Sequence, residues 1–131
     1  MEPAAEAGLI MLVHLLKSKI HRAQVTAGNV NYEGSLSIDR DLMDKVGLLP
    51  YERILCSNMA NAARFETYAI PGPARSGRIE LNGATARLGQ VGDRVIVFSF
   101  AQVSEADART HVPRIVLLDE ENRVVRRSFV A

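Results

Sequence analysis

The chain of 131 residues has no tryptophan, a single cysteine, and only 5% aromatic residues. With Cys56 alone, no disulfide framework forms within the chain, which suits a reducing compartment. Cys56 sits in an apolar, strand-like stretch, where a buried structural thiol is the default and a nucleophile is not expected. His14, His21 and His111 lack ligand spacing and Cys56 lacks a thiol partner, so no metal site is expected. A dominant charge is missing too. The net charge is +1, which gives no global electrostatic case for nucleic acid or for an anionic membrane as partner. The apolar run at 9–16 is too short for a membrane span and carries His14. No basic segment precedes it, as a signal peptide requires. Gly89-Gln90-Val91-Gly92-Asp93 lacks the Gly-Lys-Ser/Thr ending of a phosphate loop.

What is present has the balance of an ordinary globular domain: 47% hydrophobic and 24% charged residues. The length fits one domain. Alternating segments at 35–38, 53–56, 65–70, 78–81, 113–118 and 124–130 read as strands. The contiguous apolar residues of 95–100 read as a fully buried strand. The apolar run at 10–16 and a loosely patterned stretch from Lys19 to Val25 imply a strand with a bulge or bend. Residues 27–31, 58–63, 89–93 and 119–122 read as turns, and Asn82-Gly83 as a strong turn pair. Residues 39–47 make a short helix with Asp39 as N-cap, Leu42, Met43 and Val46 as its apolar stripe, and Gly47 as its stop. Ser104-Glu105-Ala106-Asp107 has the form of a capping box, and 84–88 could form one helical turn. The sum is a mainly β chain with two or three short helices, a small barrel or sandwich.

Read locally, Gly34-Ser35 is a flexible dipeptide in a turn. Its surroundings say more: Lys19-Ile20-His21-Arg22-Ala23, Tyr32-Glu33-Gly34-Ser35, Ile38-Asp39, Asn58, Arg64-Phe65 with Thr67-Tyr68, Asn82-Gly83-Ala84 and Gly92-Asp93. Together they resemble the pyruvoyl-dependent aspartate 1-decarboxylases over nearly the whole chain, from Met11 to about Asn122. The resemblance implies a double-psi β-barrel. It implies a tail at 1–10 and one decarboxylase domain at 11–131, because members usually begin at the position of Met11. It also implies self-cleavage between Gly34 and Ser35 into a β chain of 1–34 and an α chain of 35–131. In that family the Ser hydroxyl attacks the Gly carbonyl to form an ester. Elimination then gives dehydroalanine, which hydrolyses to a pyruvoyl group and ammonia. The pyruvoyl takes up the amine of L-aspartate as a Schiff base and accepts the electrons left by CO2.

Carried over residue by residue, the resemblance assigns Gly34, Ser35 and Thr67 to processing and Ser35 and Tyr68 to catalysis, Tyr68 as proton donor. Lys19, Arg64, Thr67, Asn82, Gly83, Ala84 and Thr85 are assigned to substrate binding, with His21 and Tyr32 in support. A homotetramer with sites between subunits, a cytoplasmic location, a role in pantothenate and coenzyme A synthesis and, in some members, a maturation helper protein are implied as well. Chemistry explains the residue types. Gly leaves the attacked carbonyl uncrowded, Arg offers a fork for a carboxylate, and a tyrosine hydroxyl is protonated at neutral pH. Thr67 and Tyr68 would face opposite ways on an ideal strand, so a bend or a subunit seam is needed for both to reach one site.

Three positions depart from the family. Ala62 stands where Gly is usual and must tolerate strain or use another turn. Thr85 stands where Ala is usual and adds a hydroxyl to the pocket, and Ser57 stands where many members have an aromatic. Two other readings stand beside the first: a non-catalytic barrel used as a binding module, in which Gly34-Ser35 stays intact, and a pyruvoyl decarboxylase of another acidic amino acid such as glutamate. A pyridoxal enzyme using Lys19 is disfavoured, because the chain is small and has no phosphate cup.

Overall fold

A computed structural model describes residues 9–128. Its first strand is the longest. β1 (Leu12–Gln24) joins the apolar run and the irregular stretch after it into one element. Its ladder with β7 (Arg94–Ser104) shifts register between Leu16 and Ser18 and again between Ile20 and Ala23. The second irregularity contains Arg22, in the left-handed region at φ +66°. The sequence pattern of 20–25 is loose because the strand bends there.

Seven further strands complete the sheet: β2 (Ala27–Asn29), β3 (Ser35–Asp39), β4 (Arg53–Asn58), β5 (Arg64–Gly72), β6 (Ile79–Asn82), β8 (Arg114–Leu118) and β9 (Val124–Arg127). The order is β2-β6-β3-β5-β4-β7-β1-β8-β9. Three pairings are parallel, namely β1 with β8, β2 with β6 and β3 with β5, so this is no simple meander. The sheet wraps one core that draws on Ile20, Leu36, Ile54, Leu81, Val97 and Val116 from six different strands. The expected small, mainly β barrel is what forms.

Helix α1 (Arg40–Val46) follows its sequence signals closely. Asp39 caps it, Leu42, Met43 and Val46 are buried, and Gly47 ends it at φ +76°. Asp39 also fastens the end of β3. Its carboxylate accepts from the backbone N–H of Asp41 at 2.8 Å, of Arg75 at 2.9 Å and of Gly77 at 2.9 Å. Helix α2 (Glu105–Ala108) is capped by Ser104, whose hydroxyl accepts from the Asp107 N–H.

Four sequence expectations change. Ala27-Gly28-Asn29 is a short strand rather than a turn, because it finds a parallel partner in β6. Asn82-Gly83 closes no hairpin; it opens a 3-10 turn, Gly83–Arg87. β7 is not buried on both faces: Val95, Val97 and Ser99 point inward, whereas Phe100 on the other face is 48% exposed. β5 runs on through Pro71 and Gly72, which pair with Ile38 and Asp39. The expected tail lies outside the described residues at 1–8, and so do the last positions of the expected strand 124–130.

Candidate active site

β3 begins at Ser35, directly after a bend at Gly34, and lies between two partners. On one side Ser35 is the cross-strand mate of Asn82 in β6. On the other, the parallel ladder pairs Leu36 with Ala69. One step back along that register sets Ser35 level with Tyr68. Paired residues share a face, so Ser35, Asn82 and Tyr68 lie on the face opposite the core residues Leu36 and Ala69.

Ser35 is fully buried. Its hydroxyl donates to the Glu33 carbonyl at 3.2 Å and accepts from Asn82 Nδ2 at 3.3 Å. The carbonyl oxygen of the same amide, Asn82 Oδ1, is buried without a partner. A buried acceptor left open is costly unless a ligand completes it.

Gly83 backs onto the Gly-Ser pair. It sits at φ +69°, and a Cβ there would lie 2.6 Å from Gly34 Cα, 2.8 Å from Gly34 N and 3.1 Å from the Tyr32 carbonyl oxygen. Only glycine lets the 3-10 turn pack this closely against the bend. Gly34 itself faces open space, with nothing within 4 Å of an added Cβ. Thr85 is a brace for the same turn, since its hydroxyl donates to the Asn82 carbonyl at 2.7 Å. Ala84 is exposed. Tyr32 is 55% exposed and, with Asn29 and Asn82, lines a cleft of about 330 Å³.

The other expected residues lie further off. Thr67 pairs with Ile54 and faces the core side, opposite Tyr68. Arg64 shares the Tyr68 face but sits four residues earlier on β5, about 13 Å along the strand. Lys19 and His21 are on β1, separated from β3 by β5, β4 and β7. Within one chain the fold therefore unites Gly34, Ser35, Asn82 and Gly83, sets Tyr68 level with Ser35 on the neighbouring strand, and places Arg64 further along that strand and Lys19 and His21 on β1, three strands removed in sheet order.

Two residues near Tyr68 were missed. Arg53 is its cross-strand mate and pairs with Glu66 at 2.6 Å. Tyr51 holds its ring 6.5 Å from that of Tyr68, with the planes 35° apart. Composition held a hint, since there are only three tyrosines in the chain. Of the three departures, Ala62 does adopt a left-handed φ of +64°. Its turn is held by the Ala62 N–H donating to the Asn58 carbonyl at 2.8 Å and the Ala63 N–H donating to Asn61 Oδ1 at 2.8 Å. Ser57 lies across from Arg64 and Ile96, away from Tyr68.

Burial pushes the Cys56 thiol up to about 12, so it is inert at neutral pH. His21 is shifted down, first by burial and then by the positive charges of Lys19, Arg22, Arg126 and Arg94. Its Nδ1 is buried without a partner. The unfolded chain thus binds the His21 proton more readily than the folded one. The neutral imidazole's contribution to stability is complete well above the unfolded value of ~6.5 and is lost as pH falls through and below it. The melting temperature should drop between pH 7 and pH 5, and His21→Gln should flatten that drop. An unchanged slope in the variant would show that His21 does not carry it.

A buried serine at the head of an internal strand, held by Asn82 and backed by a glycine turn, marks the candidate site of this small, mainly β barrel. The model for the family described as aspartate decarboxylase matches residues 11–125. The chain belongs to that family. Among its relatives are aspartate 1-decarboxylases of Syntrophobacter fumaroxidans, 53% identical over 117 residues and covering 89% of this chain and 94% of the relative, and of Trichormus variabilis, 53% identical over 109 residues, 83% and 86%. That of Maricaulis maris is 48% identical over 121 residues, 92% of this chain and 100% of the relative.

Proposed function

We propose that this chain is a self-processing lyase that converts L-aspartate to β-alanine and CO2 and supplies β-alanine for pantothenate, and hence coenzyme A, synthesis. The observation that carries the reading is the buried Ser35 hydroxyl, held by Asn82 next to a Gly34 backed by Gly83. The residues present fit a pyruvoyl group derived from Ser35. Gly83 forms a cradle that any Cβ would fill, and Asn82 Oδ1 is an orphaned acceptor suited to a substrate N–H. When formed, that group supplies a ketone that binds the substrate amine and takes up the electron pair released with CO2.

The side chains do the rest. Asn82 holds the reacting position. The Tyr68 hydroxyl, level with residue 35, returns a proton to the substrate carbon. Thr67, whose side chain lies on the core side within one chain, is assigned to cleavage by the family resemblance alone, and Gly83, Ala84 and Thr85 shape the turn over the substrate. Arg64 and Lys19 bind carboxylates, supported by His21, and Tyr32 flanks the cleft. The separation of Arg64 from the Ser35 level along β5 is consistent with a homotetramer in which a neighbouring subunit brings such cations to the site. The outward apolar face of β7, where Phe98 and Phe100 meet edge to face at 6.0 Å, is consistent with that assembly. Among the described residues no helix is long and apolar enough to cross a membrane. The reading includes a cytoplasmic enzyme whose maturation involves a helper protein in some members of the family.

Intact mass under denaturing conditions, with product analysis on aspartate and glutamate, tests the reading. Expected are fragments 1–34 and 35–131, the larger with a pyruvoyl end, and β-alanine from aspartate. A full-length chain that yields no β-alanine, alone or in cell lysate, would favour a non-catalytic barrel. Product from glutamate in preference to aspartate would reassign the substrate.

A further inference from the structure

Tyr51 occupies the left-handed region at φ +70°, uncommon for so bulky a residue. The residue is 75% exposed, so core burial does not explain the strain. The backbone is held there by a set of ties. The Tyr51 N–H donates to the Ala69 carbonyl at 2.7 Å, and the Ala69 N–H donates to the Glu52 carbonyl at 2.9 Å. The Glu52 carboxylate accepts from Lys17 Nζ at 2.8 and 2.9 Å and from the Leu49 N–H at 2.9 Å. Lys17 also donates to the Gly47 carbonyl at 2.6 Å. The loop at 49–52 is thus fastened to β1, to the end of α1 and to β5. It clasps β5 at Ala69, the residue immediately after Tyr68. The result is the ring contact of 6.5 Å between Tyr51 and Tyr68, within the range of favourable aromatic pairs. Strain maintained by surrounding bonds next to a reacting group is a mark of preorganisation.

We propose that Tyr51 is a positioning residue that fixes the orientation of Tyr68 and so the point at which its hydroxyl delivers a proton. This rests on the reading of Tyr68 as proton donor. Asparagine tolerates left-handed φ, so Tyr51→Asn removes the ring while keeping the loop, and Tyr51→Phe keeps the ring and loses only the hydroxyl. Both should mature normally by intact mass. Tyr51→Phe should retain kcat. Tyr51→Asn should lose kcat about tenfold with KM little changed, since misplacing a reacting group slows the chemical step. Fluorotyrosine labelling gives a readout independent of turnover: the Tyr68 resonance, assigned by its loss in Tyr68→Phe, should be sharp in the wild type and broadened or split in Tyr51→Asn. If Tyr51→Asn unfolds, Tyr51→Leu, which retains bulk without the ring, carries the same expectation. Unchanged kcat and an unchanged Tyr68 resonance in the ring-less variant would overturn the proposal, as would a rise in KM alone. Full activity in Tyr68→Phe would instead remove the proton-donor reading itself, an outcome distinct from either.

Discussion

Ser35→Ala should give a single uncleaved chain that folds and produces no β-alanine. The two effects separate because the hydroxyl contributes little to the fold. Its bonds, to the Glu33 carbonyl at 3.2 Å and from Asn82 at 3.3 Å, are both long; removing it leaves the buried Asn82 Nδ2 without that acceptor, a cost of about 1–3 kcal/mol, which is less than the stability of an ordinary domain. The ladders of β3 to β5 and β6 do not depend on it. Chemically the loss is complete, because alanine offers no oxygen to attack Gly34 and no β-oxygen to eliminate. Mass spectrometry reads the cleavage, circular dichroism the fold, and β-alanine formation the activity. Cleavage at 34/35, or turnover, in a folded Ser35→Ala chain would refute the assignment of Ser35.

Gly83→Ala should be nearly as damaging, although it touches no reacting atom. Two costs combine. A left-handed alanine is disfavoured by roughly 1–2 kcal/mol. The new methyl would also stand 2.6 Å from Gly34 Cα and 2.8 Å from Gly34 N. These are backbone atoms that cannot rotate aside, so the bend before Ser35 must move. We expect cleavage to slow by about 100-fold, as misplacement near 1 Å does elsewhere, and the melting temperature to fall by about 5 °C. Gly34→Ala is the informative companion for stability, because its Cβ meets nothing within 4 Å; its melting temperature should stay close to that of the wild type. A Gly83→Ala chain that matures at the normal rate would show that the close packing of turn on bend is dispensable.

Local physics made part of this structure legible in advance. α1 was readable because its caps and stripe lie within a few residues of one another, and Ser104 and the turn at 119–122 for the same reason. β2 was not, because Ala27-Gly28-Asn29 has the composition of a turn and becomes a strand only through β6, about fifty residues later. Asn82-Gly83 has the chemistry of a hairpin turn, yet the left-handed glycine serves instead to admit Gly34. β7 read as buried because both faces are apolar, although only one faces the core. At the site, resemblance named the residues and could not place them. The Ser35–Asn82 contact spans 47 positions, and the level arrangement of Ser35 and Tyr68 follows from a parallel register that no local pattern encodes. Tyr51 escaped notice because its role depends on a backbone angle and on Lys17, Glu52 and Ala69 acting together.

The fastening of β3 bears on what a break in the chain does to the molecule. A severed polypeptide ordinarily gains two loose ends, and the entropy released pulls them apart. Here the downstream end is the first residue of an internal strand, laced to β5 and β6, with its far margin anchored four residues on by the Asp39 carboxylate. Cutting the peptide before Ser35 would free the bend at 30–34 and leave residue 35 where it was. The new terminus would start its life already aligned with Tyr68 and Asn82, without a search for its place and without a repacking of the core.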